Sequence, residues 1–339
     1  MNDKFYVTDC EGPLSINDNA YEISDYFIPE GGEFFSILSN YDDMLVEKNT
    51  EGYLAGSTLK LILPFFKAYD LTENDLIQFS EDNINMLDGA YTMISYVQKI
   101  MPCYIVSTSY NQYIKALCEK TGFKYENTYS TQLNMDKYDL NDEERESLLN
   151  IRENILFDYS FENIDHLFND VISKMQISTL MDSVTPVGGI GKRNAILDII
   201  ENQNYEPSNL MYSGDSITDC EALEFTKENE GISISFNGNN YSINSASISI
   251  TSTNNLILAL IADIFNNKSS NAVYDFINEY NEDSLETIIK YSGNNEITQE
   301  LLLNKASIDL VTEDNVEELY NKSKIIRNKV RGQKIGNLG

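Results

Sequence analysis

Two rhythms of apolar residues alternate along the chain. Short apolar runs read as buried strands: Phe5-Tyr6-Val7-Thr8, Cys103-Tyr104-Ile105-Val106, Leu210-Met211-Tyr212-Ser213, Ile232-Ser233-Ile234-Ser235-Phe236 and residues 246–250. Between them the spacing turns helical. Phe34-Phe35 with Leu38, then Leu59, Leu61, Ile62 and Phe65-Phe66, recur every three or four residues across 15–84. Helices are predicted over 90–100, 111–120 and 193–200, and the last opens from Gly188-Gly189-Ile190-Gly191-Lys192. The stretch 139–181, rich in acids and amides, reads as an inserted helical hairpin, and everything from 269 onward reads as helix. Strands alternating with helices predict an α/β core around a mainly parallel sheet.

Composition narrows the chemistry. With 339 residues the chain is long enough for about two domains. The apolar run 256–262 is far short of the ~20 residues of a membrane helix. Met1-Asn2-Asp3-Lys4-Phe5 does not open as a signal peptide, so we expect no membrane association and a cytoplasmic protein. The net charge of −30 argues against nucleic acid as a partner. There is a single histidine, His166, in a helical-looking stretch, and we read it as a surface residue. Cys10, Cys103, Cys118 and Cys220 contain no Cys-x-x-Cys pair and are read as reduced thiols. Catalysis then rests on carboxylates, hydroxyls and lysines.

Three strands run into polar residues: Asp9 with Glu11 after the first, Ser107 with Thr108 and Ser109 after the second, and Asp215 after Gly214. Ligands of open α/β sheets bind beyond the carboxyl ends of the strands, so these groups are expected to converge, with Lys192 reaching the same place. Singly, each has an ordinary explanation. Asp215 or Ser216 is a fair helix cap, Lys192 a solvated lysine, and Ser107-Thr108-Ser109 a turn. Gly188 to Lys192 is not a nucleotide P-loop, because Arg193 stands where Ser or Thr is needed and Pro186 where the first glycine is needed. Carboxylates, a hydroxyl and a lysine together suit phosphoryl transfer, which depends on positioning and on neutralising spread negative charge.

In order and context, Asp9-Cys10-Glu11-Gly12, Ser107, Lys192 and Gly214-Asp215-Ser216-Ile217-Thr218-Asp219 resemble the four motifs of the haloacid dehalogenase (HAD) superfamily. Within it the chain is similar to the phosphoserine phosphatase branch. The nearest type there is the phosphoserine/homoserine phosphotransferase, which also carries Asp-x-Glu-Gly. Asp-Cys-Glu-Gly-Pro further resembles archaeal HAD proteins associated with energy-converting hydrogenases, a likeness that names no reaction. The resemblance implies a Rossmann-like HAD core over 1–14, 86–138 and 182–265. A helical cap over 15–85, a helical insertion over 139–181 and a C-terminal helical extension over 266–339 complete the expected chain.

The resemblance also implies roles. Asp9 is the expected nucleophile and Glu11 the general acid and base. Ser107, with the amides of Thr108 and Ser109, holds the phosphoryl oxygens, and Lys192 offsets their charge. Mg²⁺ is the expected cofactor, with Asp9, the Glu11 carbonyl and Asp215 as ligands and Asp219 outside them or holding Lys192. The expected reaction is hydrolysis of a small phosphorylated metabolite. Transfer of the phosphoryl group to a small homoserine-like alcohol is one alternative, and a partner-binding subunit derived from the fold is another. The cap carries Lys48, Lys60 and Lys67 but no arginine, which speaks against phosphoserine itself. Phe34, Phe35, Tyr53, Phe65 and Phe66 read as cap core.

Lys322, Lys324, Arg327, Lys329, Arg331 and Lys334, interleaved with Ile325, Ile326 and Val330, predict a basic amphipathic helix. Two readings stand for it. Either it is a solvated last turn, or it docks on an acidic surface of the protein's own cap or of a partner subunit, a homodimer included.

Overall fold

The computed structural model describes residues 4–48, 50, 53–280, 285–291 and 306–336. Parts of the expected C-terminal extension, 281–284, 292–305 and 337–339, lie outside the described residues.

Seven strands form one sheet: β1 (Phe5–Thr8), β2 (Cys103–Tyr110), β3 (Thr128–Thr131), β4 (Leu210–Gly214), β5 (Ile232–Phe236), β6 (Ile248–Thr251) and β7 (Ser307–Leu310). Their order is β3-β2-β1-β4-β5-β6-β7, with every neighbour pair parallel except β6 and β7. This is a Rossmann-like arrangement. The order reverses between β1 and β4, which makes that crevice the switch point where ligands bind in open sheets. The central strands are covered on both faces, so they read as unbroken apolar runs. Successive residues still part company: Tyr6 packs with helices Ala90–Ile100, Asn111–Thr121 and Leu256–Asn267, whereas Phe5 and Val7 pack with Ile190–Gln203 and Cys220–Glu228 on the other face.

β3 and β7 were not expected. Each is four residues long and at least half polar, too short for a period-two pattern to stand out, and β7 is a correction to a C-terminal region read as wholly helical. β2 also runs on through Ser107, Thr108 and Ser109 to Tyr110, with its register to β3 shifting between Ser107 and Tyr110.

The helical excursion after β1 leaves and returns at one place. Ile16 N donates to Asn85 O and Leu87 N to Leu14 O, both at 2.9 Å. Phe34, Phe65 and Phe66 form its core, with Phe34 and Phe65 edge-on at 4.7 Å. Residues 133–184 share that core instead of forming a separate hairpin: Tyr41 stacks on Phe168 at 6.1 Å, and Phe65 meets the same ring. Buried Arg152 donates to the Pro29 carbonyl across this contact. The excursion closes over the sheet's carboxyl edge, where Tyr110 donates to the Leu59 carbonyl.

His166 lies on the surface and pairs with Asp170 at 3.0 Å, and the four cysteines are free thiols. No helix among the described residues is long and apolar enough to cross a membrane.

Candidate active site

β1 and β4 deliver two loops to the switch point. Asp9 follows β1, and its amide donates to the Ser213 carbonyl of β4 at 2.8 Å, so the two loops start side by side. Gly12 lets them close. Its φ is +104°, and a Cβ there would lie 2.4 Å from the Asp215 Cγ. Gly214 has the same function on the other loop, where a Cβ would lie 2.3 Å from the Asp219 Cγ. Both glycines of the motifs are therefore set by close approach.

Lys192, on the first turn of helix Ile190–Gln203, is fully buried and bridges two carboxylates. Its Nζ is 2.7 Å from Asp9 Oδ2 and 2.7 Å from Asp219 Oδ1. Burial works against the ammonium charge, but Asp219 and Asp9 outweigh it and hold its pKa above the ordinary lysine value. Asp219 is committed on every side. Tyr212 donates to its Oδ1 at 2.6 Å, and the amides of Asp215 and Ser216 donate to its Oδ2 at 3.0 Å. Of the two roles open to it, the geometry matches that of holding Lys192.

Asp9 is buried. Its Oδ1 accepts the Cys10 amide at 2.6 Å, while its Oδ2 meets Lys192. Burial pushes its carboxyl up against the pull of Lys192, with Asp219 and Asp215 adding to the rise. Glu11, two residues on, accepts the Asn19 amide at 2.7 Å, at the start of helix Asn19–Phe27. Burial raises its carboxyl well above the usual range and Asp18 adds to that, while the Asn19 amide draws it back. Ser107 Oγ lies 3.1 Å from Ser109 Oγ. The Thr108 hydroxyl donates to the Val187 carbonyl at 3.0 Å.

These groups line one cavity with about 120 Å³ of room. Its floor includes Asp9, Glu11, Ser107 and Asp215, and the excursion after β1 adds Phe35, Ser39, Asp42, Asp43 and Thr58. Phe34, Phe65 and Phe66 are core, while Phe35 reaches the cavity wall.

Two lining residues were missed as members of the site. The basic segment is the helix Val316–Gly336, broken after Arg331 by Gly332 at φ +78°. It docks on the loops after β1, β4 and β5 of its own chain. Arg327 is buried and the side chain of Arg331 is 7% exposed, and their Nη1 atoms lie 2.5 and 2.9 Å from the same oxygen, Asp215 Oδ2. Burial works against the charge of Arg331, but Asp215, Asp18, Glu11 and Asp9 outweigh it. The signal was in the spacing: Leu319, Ser323, Arg327 and Arg331 recur every four residues as one inward stripe, while the lysines between them point elsewhere.

Asp9, Asp215 and Asp219 bring carboxylate oxygens within 4.8 Å of one another, an all-oxygen set of the kind that holds a hard cation. The cation on Asp215 in this structure is a guanidinium pair. Lys192, Arg327 and Arg331 face three carboxylates, and a divalent metal on Asp215 does not fit beside two guanidinium groups already bonded to it.

No protein-family model matches the chain, and no curated protein matches it. Among solved structures it is similar to gene product AF1437 from Archaeoglobus fulgidus, with 26% identity, 99% of each chain covered and a TM-score of 0.84. It is more remotely similar to a phospho-aspartyl intermediate analogue of phosphoserine phosphatase, at 15% identity over 73% of this chain and 92% of that one, TM-score 0.46. A HAD family hydrolase from Salmonella enterica serovar Typhi gives 12% identity over 69% and 62%, TM-score 0.43. With Asp9, Ser107 and Asp215 at the carboxyl edge of one mainly parallel sheet and a helical excursion after its first strand, the fold is the Rossmann-like α/β arrangement that the sequence led us to expect.

Proposed function

We propose that the chain is a phosphatase that hydrolyses a small phosphomonoester through an aspartyl phosphate on Asp9. The observation that carries this is the Asp9 carboxylate, held by buried Lys192 at 2.7 Å in a cavity that also contains Ser107 and Glu11.

The reacting form of Asp9 is its carboxylate, which Lys192 stabilises. One carboxylate oxygen attacks phosphorus, and the bond from phosphorus to the ester oxygen breaks. Glu11, whose carboxyl burial raises above the usual range, gives a proton to the departing alkoxide. Water then attacks the same phosphorus, Glu11 takes its proton, and the bond to Asp9 breaks to release inorganic phosphate. The Ser107 hydroxyl and the Thr108 and Ser109 amides hold the equatorial oxygens, where spread charge is greatest. Mg²⁺, the cofactor expected from the motifs, would polarise the phosphoryl group in such a site; no step here is routed through it, because Asp215 is already paired.

The room is small beside the ~300–1,000 Å³ of drug-sized pockets, in keeping with a substrate of a few carbons. The excursion contributes Asp42 and Asp43 to the cavity and no lysine or arginine. A carboxylate on the substrate, as in phosphoserine, finds no cation on that wall, whereas an uncharged or amine-bearing alcohol does better.

A panel of small phosphomonoesters, scored for released phosphate and for acid-stable phosphorylation of the protein, tests the reading. We expect turnover and a labelled Asp9, both lost in Asp9→Asn. Near-normal turnover in that variant, or label on another residue, rejects it. Adding homoserine to the same assay distinguishes hydrolysis from transfer, and hydrolysis predicts unchanged phosphate release.

A further inference from the structure

We propose that Arg327 and Arg331 are the resident cation of this active site, occupying the place at Asp215 where a divalent metal would otherwise bind. The catalytic part of this inference rests on the phosphatase reading; the ion-binding part does not.

Three observations carry it. First, the charges match: two guanidinium groups on one carboxylate oxygen bring the two positive charges of a divalent cation. Second, both side chains are built in. Arg327 donates through Nε to Gly336 O at 3.0 Å and through Nη1 to Asn237 O and Asp215 O, each at 3.2 Å. Arg331 donates through Nε to Ile16 O at 3.3 Å and through Nη2 to Asn17 O. Carbonyls of the loops after β1, β4 and β5 thus hold the pair in place. Buried charge is strongly unfavourable unless paired and hydrogen-bonded, so this geometry has a specific reason to exist. Third, the solved structure of AF1437 aligns over 99% of the chain, so the likeness takes in the C-terminal helix as well as the core.

The planar fork of arginine suits the position. It gives directed N–H bonds to a carboxylate and to backbone carbonyls at the same time. Arg327 and Arg331 both line the cavity beside Asp9. As positioning residues they fix Asp215 and the loop after β1, and they supply the positive field that phosphoryl transfer requires.

The probe is Mg²⁺ itself, on the full chain, read by calorimetric titration and by thermal melting in EDTA against millimolar Mg²⁺. A cation that binds the folded state raises Tm by mass action. We expect no titration signal and no Tm shift in the wild type, and in Arg331→Met a gain of Mg²⁺-dependent stabilisation, because Asp215 is then half released. Arg331→Lys should keep the wild-type indifference. With a substrate in hand, wild-type activity should survive EDTA, and Arg331→Met should lose about 10²-fold in kcat, partly restored by Mg²⁺. Saturable Mg²⁺ binding to the wild type that disappears in Asp215→Asn overturns the inference, and that measurement needs no arginine variant to fold. An inactive chain that ignores Mg²⁺ rejects the phosphatase reading alone; an active chain that binds Mg²⁺ at Asp215 rejects this inference alone.

Discussion

Replacing Lys192 by methionine isolates the buried ion cluster. The side chain is 0% exposed and lies 2.7 Å from both Asp9 and Asp219, so its removal leaves two buried carboxylates without their shared cation. Methionine fills much of the space of the lysine stem, which keeps the cavity contribution small. Removing one partner of a buried pair costs roughly 3–5 kcal/mol. Asp219 keeps Tyr212 and two backbone amides, and Asp9 keeps the Cys10 amide, which places the loss near the lower end, about 3 kcal/mol. Asp9 limits it further, since its carboxyl is already raised by burial and takes up a proton once the ammonium is gone. Denaturant unfolding at neutral pH reads the difference. The double variant Asp9→Asn, Lys192→Met completes the test, because removing the stranded charge should return about 1 kcal/mol or more relative to strict additivity. A single-variant loss below about 1 kcal/mol, or fully additive effects, refutes the idea that Lys192 is held by opposing carboxylates.

Gly12→Ala should destabilise by about 1–3 kcal/mol and depress turnover, since its Cβ meets Asp215 at 2.4 Å on a backbone at φ +104°; unchanged melting refutes the close-approach argument. Burial pushes both Glu22 and Asp43 up to about 7 from ordinary values of 4.5 and 3.8. Between those limits the folded chain holds protons that the unfolded chain has released, so stability should fall as pH rises from 5 to 7.5. The double variant Glu22→Gln, Asp43→Asn should flatten that fall, and an unchanged slope of Tm against pH counts against the assignment.

The site motifs were legible because each is a strand end plus a few residues, and the strand-end rule brings Asp9, Ser107 and Asp215 together without any long-range information. Lys192 came with them as the opening of a helix. The two insertions were read separately because helical spacing marks an apolar face without naming what covers it; only the fold shows Phe168 against Tyr41 and Phe65. β7 escaped because Ser307-Ile308-Asp309-Leu310 gains its strand character from pairing with β6. The arginines escaped for an electrostatic reason. A run of cations on a helix ordinarily faces water, and the carboxylate that draws two of them inward is 112 and 116 residues away.

The fastening of the C-terminal helix also sets an order of assembly. Arg331 bonds carbonyls 314 and 315 positions earlier, so the link joins nearly the whole length of the polypeptide. At ~5–20 residues per second of synthesis, about 6–23 s separate the appearance of Asp215 from that of Arg331. Throughout that interval a nascent chain has the carboxylates of its catalytic loops and Lys192 without the remaining positive charge. Products of interrupted translation that end before the helix can form β1 to β6 yet leave Asp215 unneutralised. The charge balance around Asp215 thus arrives with the last-made described helix, and fragments released early are distinguishable from the finished protein by their charge imbalance alone.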